Sequence, residues 1–78
     1  MGVIREEVWQ DETGEVVKYN LVFVHRLQTK DNGRVLGYDN AHGIHERHFK
    51  GRVERTEYAG YDLLLERFLS EVRELRRL

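Results

Sequence analysis

Between Glu15 and Leu27, the residues Val17, Tyr19, Leu21, Phe23, His25 and Leu27 recur at every second position against Lys18, Asn20 and Arg26. A period of two sends successive side chains to opposite faces, so this stretch predicts a long half-buried strand. Val3 to Gln10 alternates more loosely, with Ile4 and Val8 on one side and Val3 and Trp9 on the other, and reads as a further strand. Trp9 is expected in the core or at an interface. Asp11-Glu12-Thr13-Gly14 reads as a turn. Lys30-Asp31-Asn32-Gly33 contains an Asn-Gly pair, which accepts positive φ at both positions and predicts a tight hairpin turn into Arg34 to Asp39. Gly37, which lacks a side chain, marks a bulge or a close backbone approach. Asn40 to Gly43 is another turn, and extended pieces follow at Ile44 to Lys50 and Val53 to Tyr58.

From Tyr61 onward the period changes to 3.6. Tyr61, Leu64, Leu65, Phe68, Leu69, Val72 and Leu75 share one face, and Glu66, Arg67, Glu71, Arg73 and Glu74 share the other. This predicts an amphipathic helix of about four turns, with Gly60 as its N-cap, Asp62 at the positive end of the dipole and Arg76 and Arg77 at the negative end. The expected fold is therefore α+β: an antiparallel meander of four to five strands over residues 1–60, with one C-terminal helix, residues 61–78, packed on one face. Residues 1–78 form a single domain, since two cores in 78 residues would each be too small to fold unaided.

A domain this small has limited stability of its own, which makes a partner or a second copy, as in a homodimer, an expected component. No apolar run approaches the ~20 residues of a membrane helix, and no export signal precedes the first strand, so a cytoplasmic location is expected. The chain has no cysteine, which removes disulfides and thiolate chemistry. The net charge of -1 hides a split: residues 1–15 carry one basic side chain against five acidic, residues 16–58 eight against five, and the remainder four against four. Basic character and all four histidines thus sit in the middle of the chain.

The segment Gly37-Tyr38-Asp39-Asn40-Ala41-His42-Gly43-Ile44-His45-Glu46-Arg47-His48-Phe49-Lys50-Gly51 brings three histidines within seven positions of one another, beside carboxylates and cations. Imidazoles titrate nearest neutrality, so such a cluster suits proton transfer. His45 and His48 are three apart, and on a strand that separation points them to opposite faces, which argues against a shared metal; no metal or other cofactor is expected. On the same parity, His45, Arg47 and Phe49 share one face, and Glu46, His48 and Lys50 the other. Cleavage of RNA fits this inventory without metal, because the ribose 2′-hydroxyl can attack the adjacent phosphate while side chains move protons and a cation stabilises charge. His45, His48, Arg47 and Asp39 are the candidate catalytic residues, and Tyr38, Asn40, His42 and Lys50 the candidate substrate-binding ones. The competing expectation is a non-enzymatic module whose open sheet face docks a protein partner or a second copy.

Gly37-Tyr38-Asp39-Asn40, then Gly43, the His-x-Arg-His element at His45, Arg47 and His48, Gly51, and the helix opening Tyr61-Asp62-Leu63-Leu64 together resemble the TumE family, the toxin component of bacterial and archaeal type II toxin-antitoxin systems. The resemblance covers roughly residues 15–78, with fewer residues between Asn40 and His45 than is usual for the family. It implies a toxin with a cognate antitoxin as partner. Action on RNA or on translation is an expectation by analogy with other small toxins.

Overall fold

A computed structural model describes residues 2–25 and 33–77. Five strands, β1 (Gly2–Gln10), β2 (Val16–His25), β3 (Arg34–Asp39), β4 (Glu46–Phe49) and β5 (Arg52–Arg55), precede one helix, α1 (Tyr61–Arg77). The strands lie in the order β1-β2-β3-β4-β5 with each neighbouring pair antiparallel. The expected α+β meander with its C-terminal helix is the observed fold, with five strands. The predicted hairpin turn at Lys30 to Asn32, and the end of the long strand at Arg26 and Leu27, lie outside the described residues. Gly33 itself has φ of +85°, the sign an Asn-Gly turn uses. Between β4 and β5, Lys50 and Gly51 both have positive φ, +48° and +87°, which is the two-residue connection whose twist matches that of the strands.

The helix begins where expected. The Gly60 carbonyl accepts the Leu64 amide at 3.2 Å, so Gly60 closes the first turn as an N-cap does, and Asp62 and Arg76/Arg77 complement the two dipole ends. Its buried face, Leu64, Phe68 and Val72, packs on Tyr19, Leu21 and Phe23 of β2 and on Leu36 and Tyr38 of β3. The alternation in β2 becomes a core at Tyr19, Leu21 and Phe23, which meet the helix. Val17, expected on the same face, is 53% exposed, and Val16 packs against the core instead, where the register with β1 shifts between Trp9 and Gln10. The helix lies over β2 and β3 and leaves β1 and β5 exposed along nearly all of their length.

Polar ties also fix the helix to the sheet, with Tyr61 donating to Glu6 of β1 at 2.6 Å and a second tie at Glu71. Glu71 of α1 accepts a short hydrogen bond from the Tyr38 hydroxyl and two from Arg47, from Nη2 at 2.6 Å and Nε at 3.2 Å. All four tyrosines of the chain are held protonated beyond their ordinary range, first by burial and then, for Tyr38 and Tyr61, by hydrogen bonds to Glu71 and Glu6. Tyr38 is pushed up to about 12. A folded-state value above the unfolded value of ~10 leaves stability intact below pH ~10 and removes it as pH rises toward 12, by about 1.4 kcal/mol per pH unit for each retained proton. Spectrophotometric titration at 295 nm should therefore show tyrosinate absorbance lagging free tyrosine above pH ~10 and then rising together with loss of the circular dichroism signal. Independent ionisation of the four rings near pH ~10 would contradict the buried cluster.

Candidate functional site

Strand register assigns every sheet residue to a face. Ile4, Glu6 and Val8 of β1 align with Phe23, Leu21 and Tyr19 under the helix, and Tyr38 and Leu36 align with Arg47 and Phe49. The opposite, open face carries cross-strand rows: Glu7, Asn20, Asp39, Glu46 and Arg55 in one, and Arg5, Val22, Gly37, His48 and Val53 in the next. Asp39, Glu46 and His48 are thereby neighbours on the open face, while Arg47 and Tyr38 belong to the helix side.

Arg34 joins the open-face group by an irregularity of the backbone. Phe23 pairs with Leu36 but Val24 pairs with Arg34, so Val35 is an extra residue in β3. Such a bulge re-aims the side chain beside it, and Arg34 lies on the open face although it has the parity of the core residues Leu36 and Tyr38. Gly37 supplies the space: a Cβ there would stand 2.8 Å from Arg34 Cδ and 3.3 Å from the Leu21 carbonyl. The expected close approach at Gly37 is thus made by the Arg34 side chain, and the bulge lies two residues earlier.

His48 is the centre of this group. Arg34 Nη2 lies 3.1 Å from His48 Nδ1, and since a guanidinium only donates, Nδ1 accepts and the neutral ring carries its proton on Nε2. Nε2 is 2.9 Å from Asp39 Oδ2, yet this buried atom completes no hydrogen bond. The distance is that of an ion-pair contact, while the direction of the N–H misses the oxygen. Asp39 Oδ1 accepts the Ala41 amide at 3.1 Å, and Oδ2 is also 4.0 Å from Arg34 Nη1. Beyond Glu46 stands His42, whose Nδ1 is 3.6 Å from Glu46 Oε1 and whose side chain is 81% exposed. Two imidazoles, two carboxylates and one guanidinium therefore form a continuous chain of contacts, with His42 at its solvent end.

Asp39, Glu46 and His48 also set one donor atom each within 4.8 Å of one another, the only such three-residue set found among the described residues. These are metal-ligand types. The Arg34 guanidinium against Nδ1 works against a cation there, because a His bound to metal through Nε2 would present its own N–H to that guanidinium.

The remaining candidates are placed elsewhere. Arg47 gives its N–H groups to Glu71, to Glu54 at 3.0 Å and to Tyr38 at 3.2 Å. Burial works to lower its pKa and the Glu71 pairing overcomes this, so it is raised. Tyr38 is fully buried, its ring edge-on to Phe68. His45 stacks on Tyr58 with centroids 3.9 Å apart, and its Nδ1 is 2.7 Å from the Tyr19 hydroxyl. Asn40 clamps β2: its Oδ1 accepts the Tyr19 amide and its Nδ2 donates to the Val17 carbonyl, both at 3.1 Å. Lys50 sits in the β4–β5 turn with Nζ 5.4 Å from the Phe49 ring. Of the eight residues picked from the sequence, Asp39, His42 and His48 converge.

Glu46 and Arg34 complete that group. Glu46 is marked in the sequence by strand parity with His48; Arg34 has no such mark, because the bulge reverses its parity. Trp9 is 45% exposed rather than interior, since its register opposite Lys18 puts it on the open face, away from α1. Lys18 Nζ lies 4.9 Å over its ring, and both border a concavity of about 300 Å³ shared with Glu7, Asn20, Arg34 and Asp39. A larger concavity of about 630 Å³ on the helix side is bordered by Glu6, Glu15 and Asp62, a lining that repels phosphates.

Residues 3–76 match a family model described as toxin TumE. No curated protein and no solved structure matches the chain.

Proposed function

This chain belongs to the toxin TumE family, and from that premise we propose that it arrests growth by acting on RNA at the open sheet face. A toxin of such a system implies an antitoxin partner. The observation that carries the reading is the Arg34–His48–Asp39 contact chain, continued through Glu46 to the exposed ring of His42.

In this mechanism the ribose 2′-oxygen bonds to phosphorus, the bond from phosphorus to the 5′-oxygen breaks, and the strand ends in a 2′,3′-cyclic phosphate. The 2′-hydroxyl proton passes to the His42–Glu46 pair, the exposed end of the cluster, and the departing 5′-oxygen gains a proton at the same end. Arg34, with its side chain 21% exposed, meets the phosphate charge that grows in the transition state. His48, held by Arg34 at Nδ1 and set 2.9 Å from Asp39 at Nε2, is a positioning residue. Trp9 and Lys18 offer a ring and a cation along the path of a single strand. Purified protein in excess EDTA should cut single-stranded RNA and leave cyclic-phosphate ends; intact RNA after incubation with stoichiometric protein would reject the reading.

A second reading draws on the exposed Val3, Trp9 and Val53 of the same face. They suit a protein-docking surface, and the toxin would then bind a target without cutting RNA. Capture of a defined protein by the open face, lost in Val53→Asp, together with intact RNA, is the outcome that selects it.

A further inference from the structure

Among the described residues the outer edge of β1 is unpaired in the sheet order, runs for nine residues and is exposed on both faces, with Val3 57%, Trp9 45%, Ile4 36% and Val8 37% accessible. An unprotected edge of this length is a template for another strand. The strand's own sequence identifies which one. Two copies pairing antiparallel about a two-fold axis perpendicular to the sheet keep each residue on its own face, so the axis passes through a residue position.

Three centres near the middle of β1 can be compared. Centring on Arg5 sets Arg5 against Arg5, Ile4 against Glu6 and Val3 against Glu7. Centring on Glu7 sets Glu7 against Glu7, Glu6 against Val8 and Arg5 against Trp9. Centring on Glu6 sets Ile4 against Val8 on the helix side, and Arg5 against Glu7 and Val3 against Trp9 on the open side, each pair occurring twice. In these pairs like meets like in hydrophobicity and opposite meets opposite in charge. The one adverse contact is Glu6 against Glu6 on the axis, and it is relieved because the Tyr61 hydroxyl donates to Glu6 Oε2 at 2.6 Å and draws each carboxylate toward its own helix.

We infer that this protein forms a two-fold dimer through β1, centred on Glu6, so that two five-stranded sheets join into one ten-stranded sheet with both helices on the same side. The dimer is independent of the chemistry proposed for the open face.

Sedimentation equilibrium of the full chain tests it. The wild type should self-associate at tens of micromolar. Arg5→Glu, which turns both Arg5–Glu7 pairs into like-charge pairs, should weaken association by about tenfold or more, and Arg5→Glu with Glu7→Arg should restore it. Glu6→Gln should tighten it, since the amide still accepts from Tyr61 and removes the axial repulsion. The restoring double variant separates a lost contact from a lost fold. A wild type that stays monomeric, or a dimer indifferent to Arg5→Glu and Glu6→Gln, overturns the inference. So does an edge that ignores these changes in self-association while Arg5→Glu abolishes antitoxin binding, because the strand then belongs to that partner.

Discussion

His48→Ala should cut RNA cleavage, and growth arrest on expression, by about 100-fold or more while moving the melting temperature only a few degrees. The ring lies on the open face and contributes nothing to the hydrophobic core. Without it, Arg34 and Asp39, already 4.0 Å apart, close into a direct ion pair, and the guanidinium is withdrawn from the phosphate. His48→Gln separates positioning from proton transfer. A glutamine amide can accept from Arg34 as the imidazole does and present an N–H toward Asp39, but it cannot carry a proton between them. Activity within about tenfold of wild type in His48→Gln is expected. If the Gln variant is as inactive as the Ala variant, the ring itself transfers the proton. Gly37→Ala should reproduce the defect without touching the ring, because its Cβ meets Arg34 Cδ at 2.8 Å and lifts the guanidinium from Nδ1. Arg47→Ala should differ in kind, lowering stability by stripping Glu71 of its partner under the helix.

Phe68→Ala should lower the melting temperature by about 12 °C or more. The ring is completely inaccessible and stands edge-on to Tyr38, with centroids 6.2 Å apart and planes at 87°. Removing it costs about 3–5 kcal/mol in transfer and cavity terms. A domain of this size holds roughly 4–12 kcal/mol in total, and each kcal/mol is worth about 4–8 °C of melting temperature. Thermal melts by circular dichroism check this directly. Leu63→Ala, on the exposed side of the same helix, should change stability by no more than ~0.5 kcal/mol. Equal loss in the two variants would show that α1 is not seated on β2 and β3 by the face described.

The contrast between these two experiments reflects what a one-dimensional pattern can carry. Alternation from Tyr19 to Phe23 and the 3.6 period from Tyr61 to Leu75 arise from burial against a single neighbour, so both were readable, and with them the fold. Val17 departs from the pattern because the register with β1 shifts beside it. Strand parity also separated His48 and Glu46 from His45 and Arg47. Arg34 escaped that reasoning because one unpaired residue, Val35, inverts the parity of everything before it in β3. Trp9 was expected in the core or at an interface, yet its parity with Arg5 and Glu7 sets it on the face that α1 does not cover. The pairing of Arg47 with Glu71 joins residues from opposite ends of the architecture, and nothing local in the sequence links them.

The amide of Asn40 has a consequence in chemical ageing. It holds the β2 backbone by one donated and one accepted hydrogen bond, immediately after the site carboxylate Asp39. Hydrolysis of that amide to a carboxylate leaves the shape of the side chain almost unchanged, yet it puts an oxygen where the donor to the Val17 carbonyl had been. Two acceptors then face each other at about the distance of a hydrogen bond, and half of the clamp on β2 is lost while the Tyr19 amide keeps its acceptor. Deamidation at this one position would therefore loosen the open-face cluster without any change in sequence at the level of the gene.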